Sequence, residues 1–406
     1  MLRFLTAGES HGPALTAILE GIPAGLALSP EVIDRELARR QQGYGSGGRM
    51  KIEKDAVQIL GGVMGGVTTG APLAFSVENA DHAKWKGKAV DPMTAPRPGH
   101  ADLTGAVKYG YHDLRPALER ASARETTMRV AVGAVCRHFL TQFDIRVGGY
   151  VLAIGGITAD LSGMAYLERF ARAEESDVRC PDVAAAEKMR NRIEQIMQSK
   201  DTLGGILEVI ALGVPAGLGS YAQWDRRLDG RLGAALLSVQ AIKGVEIGEA
   251  LENAGRTGTQ AQDAINAENS KVREENTISK EDVKLHNNAL TRPTNRAGGI
   301  EGGISNGQPI VMRAAMKPIA TTLTPQASVD LASGEPVPTR YERSDFCPVP
   351  RAVPILEAMA AFVLAEALIE KLGGDSLDEM LPRFAGLRKA RLEDLRMDAV
   401  SRVWWE

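Results

Sequence analysis

The chain opens on MLRFLTAG, a strand-like stretch that runs directly into the glycine-rich GESHG at Gly8 to Gly12. The next apolar run, ALTAILEGIP, ends at a Pro-Gly turn and predicts a second strand. The period then changes. Ser29-Pro30 supplies an N-cap and a first-turn proline, Val32, Ile33 and Leu37 form a narrow apolar face, and Gly43 ends the predicted helix. RMKIEKDAVQIL returns to a strand pattern. In SARE, Ser122 and Glu125 have capping-box spacing, followed by Met128, Val132, Val135 and Phe139 at helical intervals. Met189, Ile193 and Ile196 mark another helix within 186–197, and a long apolar one from Pro354 to Leu372 is stopped by Gly373-Gly374. That last stretch holds Glu357, Glu366 and Glu370, which a bilayer span of ~20 residues would reject. It predicts a buried core helix, at a subunit interface or within the chain's own core.

Two pairs of segments recur in the same order. ALTAILEGIPAGL (14–26) aligns with ILEVIALGVPAGL (206–218), and GGVMGGVTTGAPLAF (61–75) aligns with GGIEGGISNGQPIVM (298–312). Chance could supply one match between glycine-rich segments, but a second in the same order makes duplication the better account. Two halves of α+β type related by a pseudo-twofold are expected. Each carries an apolar strand, a Pro-Gly turn, helix, a glycine-rich hairpin, another strand and a long helix.

Composition narrows the class. With 406 residues, 44% apolar and 24% charged, the chain is that of a globular protein with a large core. Lys+Arg 48 against Asp+Glu 51 leaves a net charge of -3, so no global field draws it to nucleic acid or to an anionic membrane, and anion binding must be local. Cys136, Cys180 and Cys347 are far apart and lack C-x-x-C spacing, which indicates neither a disulfide framework nor a metal site. No charged segment followed by an apolar one opens the sequence, and a cytoplasmic location is expected.

GESHG matches G-x-S-x-G, the elbow that presents a nucleophilic serine, but such an elbow must feed a helix, and Pro13 and a strand pattern follow here. A glycine turn with a satisfied His11 is the plainer alternative. Gly43, Gly45 and Gly48 of GYGSGG satisfy G-x-G-x-x-G, yet they follow a helix and enter a strand, the reverse of a dinucleotide-binding turn. Around that loop, Arg35, Arg39, Arg40, Arg49, Lys51 and Lys54 outnumber Glu36 and Glu53. Guanidinium forks beside a glycine loop suit a phosphate or carboxylate, and complementing a helix dipole is the competing explanation for Arg39 and Arg40. Arg124 in the first turn of a predicted helix points to a nearby anion, unless Glu125 neutralises it. PRPGHAD sets His100 in a turn beside Asp102, while MKPIATT and ERSDFCPVP bring Lys317, Arg343 and Asp345 into loops. Turn histidines, arginines and a loop aspartate are what acid-base work on a polyanion needs.

GESHG, RRQQGYGSGGRMKIE, RPGHADL, LERASARETTMR, DTLGGI, QAIKGVEIG, AGGIEGGISNGQPI, MKPIATT and RSD together resemble the chorismate synthase family, in that family's order from Met1 to about Arg388. The resemblance implies one domain over 1–388, built of halves at about 1–200 and 201–388, with 389–406 as a tail. The implied fold is an α+β internally duplicated sandwich, with a helical layer between antiparallel β-sheets, assembled as a homotetramer. The implied activity is a lyase reaction, 1,4-elimination of phosphate from 5-enolpyruvylshikimate 3-phosphate to give chorismate for aromatic amino acids. It needs reduced FMN without net redox change, and NADPH is a candidate reductant.

Carried onto this chain, the resemblance makes His11 the acid for the departing phosphate, gives His100 the reduced flavin to hold, and sets Asp345 at proton traffic near the flavin N5. Ser122, Ala123, Arg124, Gln240, Ala241, Gly302, Lys317, Pro318, Ile319, Ala320, Thr321 and Arg343 match flavin positions. Arg40, Ser46, Arg49, Arg124 and Arg343 match substrate or NADPH positions. Two departures stand out: Ser46 replaces the arginine of the usual GYGRG, and the segment from Trp85 to Arg97 is shorter than in many relatives. Two rival classes remain at this level. A flavin reductase would consume its hydride stoichiometrically, and a non-catalytic flavin- or anion-binding protein would have no use for turn histidines.

Overall fold

Two antiparallel sheets enclose a layer of helices in the computed structural model, which describes residues 1–46, 54–267, 290–342, 345–395, 397–398 and 400–405. The first half of the chain supplies β1 (Arg3–Ala7), β2 (Ala14–Glu20), α1 (Pro30–Gln41), β3 (Val57–Gly61), β4 (Leu73–Glu78), α2 (Asp102–Tyr109), α3 (Arg115–Ala121) and α4 (Thr126–Thr141). The remainder supplies β5 (Arg146–Ile154), α5 (Tyr166–Glu175), α6 (Val183–Ser199), β6 (Gly205–Leu212), α7 (Leu228–Leu237), β7 (Ile242–Ile247), β8 (Ile310–Met316) and α8 (Val349–Leu372).

The first sheet runs β1-β2-β4-β3, and the second repeats that order as β5-β6-β8-β7 with the short strand Ile157–Thr158 added beside β5. Matching turns reinforce the repeat. Thr68 Oγ1 donates to the Pro23 carbonyl and accepts from Leu26 N–H, and Ser305 Oγ does the same with Pro215 and Leu218. Gly21 and Gly213 follow β2 and β6 with φ of 99° and 75°, and a Cβ there would strike the Met1 and Asp144 carbonyl oxygens at 2.6 and 2.4 Å. Met1 and Asp144 are therefore equivalent, and the second repeat begins with β5. The division expected near residue 200 moves to the link between α4 and β5. The reason is non-local pairing: Val147 lies opposite Ala211 and Gly149 opposite Val209, which ties β5 into the second sheet.

Inward-facing residues alternate as the strand pattern requires: in β2, Leu15, Ala17 and Leu19 are buried while Thr16 and Ile18 face out. Between the sheets, α4 buries Met128, Val132, Val135 and Phe139 as predicted. It crosses α8 so closely that a Cβ on Gly133 would stand 2.2 Å from the Ala358 Cβ. Among the described residues, α8 alone is long and apolar enough to cross a membrane, and 83% of its most apolar window is buried inside the protein, as a core helix requires. It starts at Val349, more than a turn before the expected Pro354, so that proline lies inside the helix, where its missing N–H removes one intrahelical bond. Its buried Glu357 is bonded by Arg39 and Arg137 at 2.7 and 3.1 Å.

The expected capping box at SARE does not form. Residues 123–125 make a tight turn, Ser122 Oγ accepts from Arg124 N–H at 3.3 Å, and α4 begins only at Thr126. Glu125 does not fold back because other donors claim it: Thr6 Oγ1 of β1 at 2.7 Å and, one helical turn on, Arg129 Nε at 2.9 Å.

Candidate active site

A cavity of about 320 Å³ opens where α3, the turn before α4, the start of α8 and the C-terminal end of α1 meet loops from both repeats. His11 enters it from the turn between β1 and β2. Gly8 makes that turn possible, since at φ 110° a Cβ would lie 2.5 Å from the Ala14 carbonyl oxygen. The His11 ring Nδ1 is 2.8 Å from Glu119 Oε1, its backbone N–H donates to Glu119 Oε2 at 2.8 Å, and the Trp85 ring lies 4.6 Å away, centroid to centroid. Burial alone would raise the Glu119 carboxyl, but the His11 bonds outweigh it and hold the group below the usual carboxylate range.

His100 sits on the opposite loop with its Nδ1 2.6 Å from Oδ1 of the fully buried Asp102. Asp102 also accepts from Arg97 N–H at 3.0 Å, Nε at 2.8 Å and Nη2 at 2.9 Å. Against the cost of burial, the His100 and Arg97 bonds drive its carboxyl well below the usual range. Arg97 Nη2 approaches the same His100 nitrogen at 3.0 Å, yet a guanidinium only donates. With Nδ1–H given to the carboxylate, Nε2 is left as the ring's acceptor.

Cations dominate the remaining wall: Arg40, Arg97, Arg124, Lys317 and Arg351 all line it. Arg40 is buried, donating to Thr126 Oγ1 and the Ala123 carbonyl at 3.0 Å each. Burial first and then the charge of Arg351, opposed by Asp55 and reinforced by Arg124, push its guanidinium down to about 9. A single buried carboxylate, Asp55, serves both Arg124 at 2.6 Å and Arg40 at 3.5 Å. Arg351 donates to Asp345 at 2.5 Å and to the Arg40 carbonyl at 3.1 Å, and Lys317 Nζ to the Gly99 carbonyl at 2.7 Å. A guanidinium destabilised by neighbouring guanidinium groups marks excess positive charge that an anion would relieve. Gln240 Nε2 donates to Glu125 at 3.3 Å, while its buried Oε1 has no hydrogen-bond partner among the described residues, leaving an acceptor for a ligand N–H.

The cavity thus gathers His11, His100, Asp345, Arg40, Ser122, Ala123, Arg124, Gln240, Ala241, Lys317, Ile319, Ala320 and Thr321. Pro318 connects two lining residues without lining the cavity itself. Gly302 does not join them: it occupies the tip of the hairpin Ile300–Glu301 and Ile304–Ser305. Ser46 also stays out of the lining, its hydroxyl donating to the Gly43 carbonyl at 2.6 Å within its own loop. Arg49 and Arg343 fall outside the described residues.

Sequence reasoning missed Glu119, Asp55, Arg97, Arg351 and Trp85. Glu119 stood inside the LERASARE motif, and Asp55 near the cationic window, but their partners are distant in the chain. A second cavity of about 260 Å³ is lined by Arg39, Arg137, Arg146, Glu174 and Glu357, and Arg39 and Arg137 there are already paired with acids. Among the described residues no group of three His, Cys, Asp or Glu could hold a metal ion.

A family model described as chorismate synthase matches residues 2–369. The chorismate synthase of Trichlorobacter lovleyi is 52% identical over 391 residues, covering 93% of this chain and 96% of that protein. That of Aquifex aeolicus is 50% identical over 400 residues, covering 94% and 96%. A solved structure titled "Crystal Structure of Chorismate Synthase" is 43% identical, with a TM-score of 0.74 over 95% of this chain and 96% of the other. The sandwich, its cationic cavity and these likenesses agree: the chain belongs to the chorismate synthase family.

Proposed function

We propose that this cavity eliminates phosphate from 5-enolpyruvylshikimate 3-phosphate to release chorismate, the family's lyase reaction in aromatic biosynthesis. The observation that carries the reading is the convergence of two carboxylate-paired histidines with five cationic side chains in one cavity. A phosphate and two carboxylates brought into a site of low effective dielectric need that many cations, and Arg40 in particular gains from their arrival.

The walls also suit a flavin. Ser122 to Arg124, Gln240 and Ala241, and the loop from Lys317 to Thr321 would hold it, with the buried Gln240 Oε1 accepting a ring N–H and Lys317 or Arg97 facing its anionic form. The chemistry that reduced FMN would supply when bound is an electron lent to C–O cleavage and returned, with no net oxidation. The protein's own groups do the rest. Arg40 and Arg124 would orient the phosphate and carboxylates, a role that the family's motifs also give to Arg49 and Arg343. His11 would give a proton to the departing phosphate, His100 would help keep the cofactor in its reduced form, and Asp345, held by Arg351, would move a proton on the flavin side of the cavity. NADPH is a candidate source of the reduced flavin.

The working unit on this reading is a cytoplasmic homotetramer of one 1–388 domain with a 389–406 tail. The bare outer face of the first sheet supports assembly, with Leu5 75%, Ile18 51% and Leu60 63% exposed, whereas residues around Phe170 of α5 cover the second sheet.

The test is anaerobic turnover of 5-enolpyruvylshikimate 3-phosphate with FMN and substoichiometric reductant. Many chorismates per reducing equivalent are expected, and His11→Ala and His100→Ala should each cost ~100-fold or more in turnover while the fold is kept. Product equal to reductant consumed would instead make the protein an ordinary oxidoreductase, and absence of product would leave only a binding protein.

A further inference from the structure

We propose that Glu119 is a positioning residue for His11, selecting which ring nitrogen exchanges a proton with the ligand. The inference rests on the reading of His11 as the acid for the departing phosphate. Three contacts join Glu119, at the end of α3, to the turn between β1 and β2. Its Oε1 meets His11 Nδ1 at 2.8 Å, its Oε2 accepts the His11 N–H at 2.8 Å, and its carbonyl accepts the Ser10 N–H at 3.3 Å. A glycine-rich link that would otherwise turn freely is thereby held at both backbone and ring.

A carboxylate has only acceptor sites, so the nitrogen facing it must carry hydrogen. Nδ1–H therefore stays on the Glu119 side, and Nε2 is the position that gives up a proton. Burial opposes ionisation of Glu119, but its His11 bonds, helped by the charge of Arg115, keep it a carboxylate. The Trp85 ring packs against the imidazole at 4.6 Å between centroids, and His82 Nδ1, 3.0 Å from the His11 carbonyl, adds a contact to the backbone of the same turn.

Glutamine cannot reproduce this arrangement. Its single acceptor oxygen faces two donors, the ring and the backbone N–H. If the amide NH2 turns to the ring, Nδ1 must accept, and the hydrogen moves to Nε2 of a neutral imidazole that is a poor acid. If the oxygen turns to the ring, the backbone N–H loses its acceptor and the turn loosens.

The experiment compares wild type, Glu119→Gln and Glu119→Asp, with ring nitrogens labelled with 15N and the His11 signals assigned from His11→Ala. Wild type should show the Nδ1–H form in the neutral ring, and Glu119→Gln a shift toward Nε2–H. In Glu119→Gln, kcat should fall at least ~10-fold with KM within about twofold, since the group shapes the proton donor and not the binding cations. Glu119→Asp, which keeps two acceptor oxygens, should recover part of kcat. Wild-type kcat and tautomer in Glu119→Gln would overturn the proposal, as would a loss confined to KM. Should the glutamine variant not fold, the wild-type spectrum decides: an Nε2–H ring there overturns the assignment. Unchanged turnover in His11→Ala would instead remove the role of His11 itself, while the tautomer shift would still show whether Glu119 sets the ring.

Discussion

Gly133→Ala tests the contact that joins the two repeats. Helix propensity alone favours the change by ~1 kcal/mol, because alanine is the better helix former. The crossing opposes it: the new Cβ would lie 2.2 Å from Ala358 Cβ, 2.4 Å from its Cα and 2.9 Å from its carbonyl carbon. Ordinary carbon contacts are ~3.5–4 Å, so α4 and α8 must part by more than an ångström. Overpacking of this kind costs ~1–3 kcal/mol, and the clash with backbone atoms puts it at the upper end. The net expectation is a loss of about 2 kcal/mol, read as a lower urea midpoint. Activity should fall as well, because the start of α8 carries Arg351 and the turn before α4 carries Arg124, both in the cavity. Displacements near 1 Å cost up to ~100-fold in turnover. Adding Ala358→Gly should not rescue the variant, since the Cα and carbonyl carbon remain in the way. A Gly133→Ala protein as stable as wild type would refute the close crossing, whereas one restored by Ala358→Gly would confine the clash to the two Cβ atoms and refute only the backbone part of it.

Asp102→Asn leaves the buried Arg97 without its counter-charge and should cost ~3–5 kcal/mol in urea unfolding near neutral pH. Because the folded Asp102 carboxyl is depressed below its unfolded value of ~3.9, its stabilisation is complete above that pH and lost as the pH falls through the lower folded value. Wild type and variant should therefore converge in strong acid, and a gap independent of pH would remove the ion pair as the cause. Ser46→Arg should tighten substrate binding by up to ~1.5–3 kcal/mol and make it more salt-sensitive, since the native hydroxyl only closes its own turn at 2.6 Å. Titration at two salt concentrations decides; unchanged affinity would mean that the cations already lining the cavity suffice.

Local pattern carried much of this protein. The alternation in β2, the apolar stripe of α4 and the repeated Pro-Gly turns each encode a direction of burial, which a short window of sequence contains. The duplication was legible for the same reason, because both copies keep the Pro, Gly and hydroxyl positions that close identical turns. His11 and His100 stood out through the motifs GESHG and RPGHADL, since a histidine in a glycine or proline turn reads by itself equally well as a satisfied polar group. What the window lacked was the identity of partners. Glu119 reaches His11 across 108 positions, Asp55 lies between Arg40 and Arg124, and Glu125 abandons its cap for Thr6 and Arg129. The repeat boundary belongs with these, because β5 joins the second sheet through hydrogen bonds to β6, a strand some sixty positions later. Gly302 and Ser46 show the converse, residues within motif-like runs whose backbone path carries them away from the cavity lining. A pairing partner, a shared carboxylate and a charge surplus are properties of assembled elements, and they exist only once packing has brought those elements together.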